Sequence, residues 1–345
     1  MSPILNKVFL LSLIAGAALV ACSDDDESPS SPATNTPAAD GGTSSSGSTS
    51  SSGSTSSSGS TATDKDIVDT AVGAGNFKTL VTAVQAAGLE ETLRGTGPFT
   101  VFAPTDDAFG KLPPFLLTKL TSAPYKTELG LILKYHVVSG SVKAADVLGK
   151  TQSVDSVQGA KLEVNGADNK VVLNGSINVV TPDIAAKNGI VHAVDGVLLP
   201  TIVDTAAGYD DGTAKFSILV DAVKKADLVT TLTGPGPFTV FAPTDTAFNN
   251  LKTALGDAAF NAILADKAKL TKILTYHVVS GAVYQKDVTT SEATTVQGQK
   301  LKLTVAGDKV TIGDSTATAA NVALSDLPNR NGVIHAIDKV LLPAD

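Results

Sequence analysis

Ten residues, Gly97 to Asp106, recur without a change as Gly236 to Asp245, 139 positions later. An identity of that length requires the chain to build the same local structure twice. Each copy holds a short apolar run, Phe99–Ala103 or Phe238–Ala242, that ends at a proline. Such a run reads as a buried strand, and proline, with no N–H to donate, cannot carry a ladder further. Thr105 or Asp106, and Thr244 or Asp245, then offer side-chain oxygens to cap a following helix that carries Phe109 or Phe248. The chain is therefore a tandem of one module. Each copy has about 140 residues, enough for a core of its own.

What precedes the modules has a different character. Lys7 leads into Val8–Val20, an uncharged run in which Ser12 is the one polar side chain. That is the apolar region of a secretory signal, and it falls short of the ~20 residues a membrane-spanning helix needs. It ends in Leu19-Val20-Ala21-Cys22, which resembles the lipobox of bacterial lipoproteins. The resemblance implies cleavage before Cys22 and acylation of that cysteine, the one thiol in the chain. Ser23–Thr63 follows as a Ser/Gly/Thr tract in which Ser44–Thr49 is repeated twice more. A flexible coil of that length reaches roughly 35 Å. The expected organisation is a signal peptide over 1–21, a disordered tether over 22–63, and modules over 64–201 and 202–345.

Within each module helices come first and strands afterwards. Asp66–Val72 suits a short helix, and Phe77, Leu80, Val81 and Val84 make a helical stripe repeated as Phe216, Leu219, Val220 and Val223. Asn76 is placed to cap the first of these. Leu112–Leu120 and Leu129–Leu133, with Leu251–Leu264 and Leu270–Leu274, continue the helical pattern. Tyr135-His136 and Tyr276-His277 open the second half, read as strand. Lys161–Val164, Lys170–Leu173 and Ile177–Val180 are β-branched runs broken by Asn-Gly turns, answered by Leu301–Val305 and Val310–Ile312. Each copy closes on a motif spanning 188–200 or 331–343. This order indicates α+β with an early central strand.

Three motifs in the same order in both copies resemble the fasciclin domain: Thr100–Phe109 and Thr239–Phe248, the two Tyr-His pairs, and Asn188–Pro200 and Asn331–Pro343. The resemblance spans both modules. It implies two tandem fasciclin-like domains, each a wedge-like β-sandwich with a layer of helices. It also implies an extracellular or surface-anchored protein that mediates adhesion, with no enzymatic chemistry, and in animal relatives the Tyr-His region is linked to receptor recognition. Tyr135, His136, Tyr276 and His277 are accordingly the candidate interaction residues. Neighbours on a strand point to opposite faces, so one of each pair can face a partner.

All four histidines of the chain lie in these motifs. His192 with Asp195, and His335 with Asp338, invite a metal or catalytic reading. Residues three apart on a strand point to opposite faces, however, so His192 shares a face with Ile190 and Val194. Core histidines with hydrogen-bonded rings are the expectation, and Asp106, Asp195, Asp245 and Asp338 are read as structural caps or acceptors. No second His or Cys completes a metal spacing. No catalytic residue, metal or cofactor is expected.

The net charge of −8 is split as −4 in residues 1–63 and −2 in each module. No basic face is apparent, which argues against nucleic acid as a partner. The expected function is a lipid-anchored adhesin that binds an extracellular protein or polysaccharide. The alternative is an envelope scaffold or small-ligand carrier holding its ligand between sheet and helices, which a large apolar pocket would favour. A metal-assisted hydrolase would require the histidines to bind a metal.

Overall fold

The computed structural model describes residues 64–344. The expected signal peptide over 1–21, Cys22 and the expected tether over 22–63 lie outside them. Among the described residues no helix is long and apolar enough to cross a membrane.

Each repeat is one seven-stranded sheet with helices packed on one side. In repeat 1 the strands are β1 (Phe99–Pro104), β2 (Val137–Ser139), β3 (Thr151–Asp155), β4 (Lys161–Asn165), β5 (Val172–Leu173), β6 (Ile177–Ala186) and β7 (Gly189–Val194). They lie in the order β2-β1-β7-β6-β5-β4-β3. Repeat 2 builds β8 (Phe238–Pro243), β9 (Val278–Ser280), β10 (Ser291–Thr294), β11 (Lys300–Ala306), β12 (Lys309–Gly313), β13 (Ala320–Asn329) and β14 (Gly332–Ile337) in the matching order. The recurring strand pairs in parallel with the closing one, β1 with β7 and β8 with β14, while every other pairing is antiparallel.

The sheet does not stay open. Val138 bridges Ser156, so edge strand β2 meets the chain leaving β3, and Val279 bridges Thr295 in repeat 2. The register of β6 on β7 slips twice, between Val179 and Ile184, and such bulges bend a strand and raise its twist. The fold-over creates two cores on opposite faces of β1. Val101 and Ala103 pack with Val191 and Ala193 under the helices, while Phe102 joins Tyr135, Leu162, Leu173 and Leu198 inside the folded sheet. Being buried on both faces explains why this strand is apolar at every position except Thr100, whose hydroxyl donates to the Gly140 carbonyl at 2.7 Å.

The helical expectations hold with two adjustments. The stripe from Leu80 lies on Lys78–Ala87, but Asn76 does not cap it; the cap comes from Asp106. The run Leu251–Leu264 is two helices, Asp245–Leu255 and Asp257–Ala265, parted at Gly256, whose φ of 79° a helix cannot contain.

The repeats meet along one seam. From repeat 1 come the helices Pro114–Leu120 and Lys126–Tyr135; from repeat 2, the bulged half of β13 and the helix Ile202–Gly208. Lys119 Nζ lies 2.6 Å from Asp326 Oδ2 and donates to Ser325 Oγ at 2.8 Å. Phe115 meets Tyr284 edge-on at 5.2 Å. Tyr125 and Leu131 are built into the core of repeat 2. Asp183, the counterpart of Asp326 in repeat 1, is exposed.

Candidate functional site

The motif residues converge because β1 and β7 run side by side. Their register sets Phe102 opposite His192, with the rings stacked at 5.4 Å, and Phe241 opposite His335 at 5.7 Å. The backbones also approach closely where the first and last motifs cross. A Cβ at Gly97 would stand 2.0 Å from the Asn188 carbonyl oxygen, and one at Gly236 equally close to that of Asn331. Only glycine fits there.

Both ring nitrogens of every histidine are engaged by backbone. Asp183 N–H donates to His192 Nδ1 at 3.1 Å, so its Nε2 carries the proton and donates to the Val142 carbonyl at 2.8 Å. His335 is held identically by Asp326 N–H and the Val283 carbonyl. His136 uses the other tautomer: Nδ1 donates to the Ile132 carbonyl at 2.8 Å and Nε2 accepts Leu198 N–H at 2.9 Å. His277 repeats this with Ile273 and Leu341. Burial pushes His136 and His277 down from 6.5 to about 4, and lowers His192 and His335 as well. These are neutral rings with no lone pair left for a metal. Among the described residues no group of three or more His, Cys, Asp or Glu side chains is placed to hold one.

The Tyr-His pairs lie where a partner cannot reach them. Tyr135 is 1% and His136 2% exposed, and Tyr276 and His277 are buried to the same degree. Tyr135 is the last residue of the helix Lys126–Tyr135 and His136 is its C-cap, so strand alternation does not apply. Tyr135 turns into the folded sheet, where its hydroxyl donates to the Lys161 carbonyl and accepts Asn174 Nδ2–H, both at 3.0 Å. His136 instead reaches across to the closing motif. As folded, the four candidate interaction residues are scaffold.

The aspartates are acceptors. Asp106 Oδ1 takes Thr79 N–H at 2.7 Å and Asp245 Oδ1 takes Ile218 N–H at 2.8 Å, while Thr105 and Thr244 cap the helices that follow them. Asp195 accepts both the N–H and the side-chain amide of Asn178, and Asp338 does the same for Asn321. Sequence reasoning passed over Asn188 and Asn331. Asn188 Nδ2 donates to the carbonyls of Leu93 and Gly95, and its Oδ1 accepts Ile67 N–H. Its place at the head of a recurring motif was the available signal.

Between helices and sheet, repeat 1 has a partly open apolar cavity of ≈ 50 Å³ bordered by Leu80, Val84, Leu93, Val101 and His136. Repeat 2 has one of ≈ 30 Å³ at the same place. Ligand pockets run to about 300–1,000 Å³. The larger spaces are open and polar, such as the cleft of ≈ 640 Å³ bordered by Asp64, Arg94, Ser141, Lys187 and Asn188.

These features define a tandem α+β scaffold whose recurring polar residues hold the module together. The chain belongs to the fasciclin-domain family: the Fasciclin domain model matches residues 75–200 and 214–343. It is 47% identical over 135 residues to the uncharacterized protein sll1735 of Synechocystis, covering 39% of this chain and 97% of that one. It is 27% identical over 279 residues to the transforming growth factor-beta-induced protein ig-h3 of Sus scrofa, covering 81% of this chain and 39% of that one. A solved fasciclin-domain pair from the insect cell adhesion molecule Fasciclin I aligns at 17% identity and a TM-score of 0.38, covering 78% of this chain and 98% of that one.

Proposed function

We propose that this protein is a surface-anchored adhesin that binds an extracellular protein or polysaccharide through the outer surface of its two fasciclin domains. The observation that carries this reading is the complete internal use of the motif histidines, tyrosines and aspartates, which leaves the surface as the place of contact. The small apolar cavities favour adhesion over a carrier. The lipid on Cys22 would hold the protein to a membrane, and the tether of 22–63 would lift the domains clear of it. Two linked modules raise avidity where both engage one surface.

The test is binding of the 64–345 fragment to arrays of glycans and matrix proteins. Saturable binding to one class, retained in His136→Gln and His277→Gln variants that still fold, supports the reading. Binding only to small apolar ligands, or none to either array, would overturn it.

A further inference from the structure

Glu128 is fully buried, and among the described residues neither of its carboxyl oxygens has a hydrogen-bond partner. It sits early in the helix Lys126–Tyr135, between Tyr125 and Leu131 at spacings of three. Residues three apart share a helix face. Tyr125 and Leu131 both pack into the core of repeat 2, so this face is the one the seam covers. A Cβ placed on Gly208 of repeat 2 would stand 3.1 Å from Leu131 Cδ2.

The second repeat supplies an internal control. Its corresponding helix, Lys267–Tyr276, buries only Leu270, Leu274 and Tyr276, whereas Lys126–Tyr135 is buried around most of its girth. At the position of Glu128 it carries Lys269, whose side chain is 71% exposed, and at that of Leu131 it carries Lys272. The module by itself does not bury this position. The seam does.

An ionised carboxylate in such a place would lack both water and a partner, a cost of several kcal/mol that the group avoids by keeping its proton. Burial accordingly lifts the Glu128 carboxyl from 4.5 to about 8. Among the described residues no neighbouring charge offsets it. From repeat 2 the seam presents Tyr209, whose hydroxyl donates to Asp211, and Asp204 on the helix Ile202–Gly208. From repeat 1 it is faced by Tyr125 and by the helices bearing Lys78 and Lys119, and the ammonium of Lys119 is engaged with Asp326. Lys126, Lys134, Asp210 and Asp211 border an open cleft of ≈ 570 Å³ beside it.

We propose that Glu128 is a proton-operated latch between the two repeats: its neutral form lets the seam close, and loss of its proton drives the seam open while each repeat stays folded. The closed seam holds a proton that the open seam releases to water. Closure therefore weakens about tenfold per pH unit between 4.5 and about 8.

Hydrogen exchange of the whole protein, corrected for the intrinsic rate at each pH, tests this. Between pH 5.5 and 8 the backbones of Lys126–Tyr135, Ile202–Gly208 and Ser325–Asn329 are expected to lose protection by about a hundredfold or more. Strands β1 and β8 are expected to keep theirs. In Glu128→Gln, which is neutral at every pH, the seam profile is expected to be flat; Glu128→Met serves if the amide variant does not fold. A flat profile in the wild type, an undiminished pH dependence in both variants, or parallel loss of protection in β1 and β8 would each overturn the latch.

Discussion

Asp106 caps a helix that begins 28 residues before it: its Oδ1 accepts Thr79 N–H at 2.7 Å, and its Oδ2 accepts Lys78 N–H at 3.3 Å. The end of the first motif thus pins the helix Lys78–Ala87 onto β1. Partial burial works to raise the Asp106 carboxyl, and the hydrogen bonds from Thr79 and Lys78 outweigh it and hold the group below 3.8.

Asp106→Ala should cost about 1–2 kcal/mol, the range for a lost N-cap. Because its folded value is depressed, the Asp106 contribution is present above the unfolded value of 3.8 and fades as pH falls through the folded one. Urea melts at pH 7 and pH 3 check this: the difference between wild type and variant should shrink at pH 3.

The histidines give a pH dependence in a different window. His136 and His277 stay neutral in the fold down to about 4, while the unfolded chain takes a proton near 6.5. The contribution of these rings should be full above 6.5 and fall by about 1.4 kcal/mol per pH unit for each ring as pH drops toward 4. Replacing either His192 or His335 by Ala should cost roughly 2–4 kcal/mol, from the cavity and the stranded N–H and carbonyl. Thermal melts at pH 7 and 5 report both. A chelator should leave the wild-type melt unchanged, because the ring nitrogens are already bonded to backbone.

Each repeat holds a helix-side core and a folded-sheet core, and of repeat 1 only Tyr125 and Leu131 join the helix-side core of repeat 2. We expect 64–201 and 202–345 to express and melt cooperatively when made separately. In the intact pair, Lys119→Ala should destabilise the second repeat by roughly 3 kcal/mol, because it leaves Asp326, 3% exposed at its side chain, without its ammonium. Calorimetry of the pair and of the separate repeats distinguishes this effect from damage to the first repeat.

For the anchor, Cys22→Ser should abolish metabolic labelling by fatty acid and release the protein from the membrane fraction. Unchanged labelling of the variant would rule out Cys22 as the acylated residue.

What the sequence by itself determined was everything that repeats. The ten recurring residues hold a strand buried on both faces, which is why it is apolar except at Thr100 and Thr239, whose hydroxyls donate to backbone carbonyls. The α+β order and the tandem organisation followed from local periodicity, and the recurring motifs named the family. Tertiary structure decided what the polar residues of those motifs do. Asp106 reaches a helix 28 residues upstream, and His136 reaches Leu198, 62 residues downstream. No local pattern encodes a hydrogen bond to a distant backbone group. Tyr135 and His136 looked like strand neighbours because Val137-Val138 follows them, yet the helix runs on to Tyr135. The burial of Glu128 was the least legible feature. Its cause is a second module packed over it, and a single module's pattern at that position is satisfied by the exposed Lys269 as readily as by a buried carboxyl.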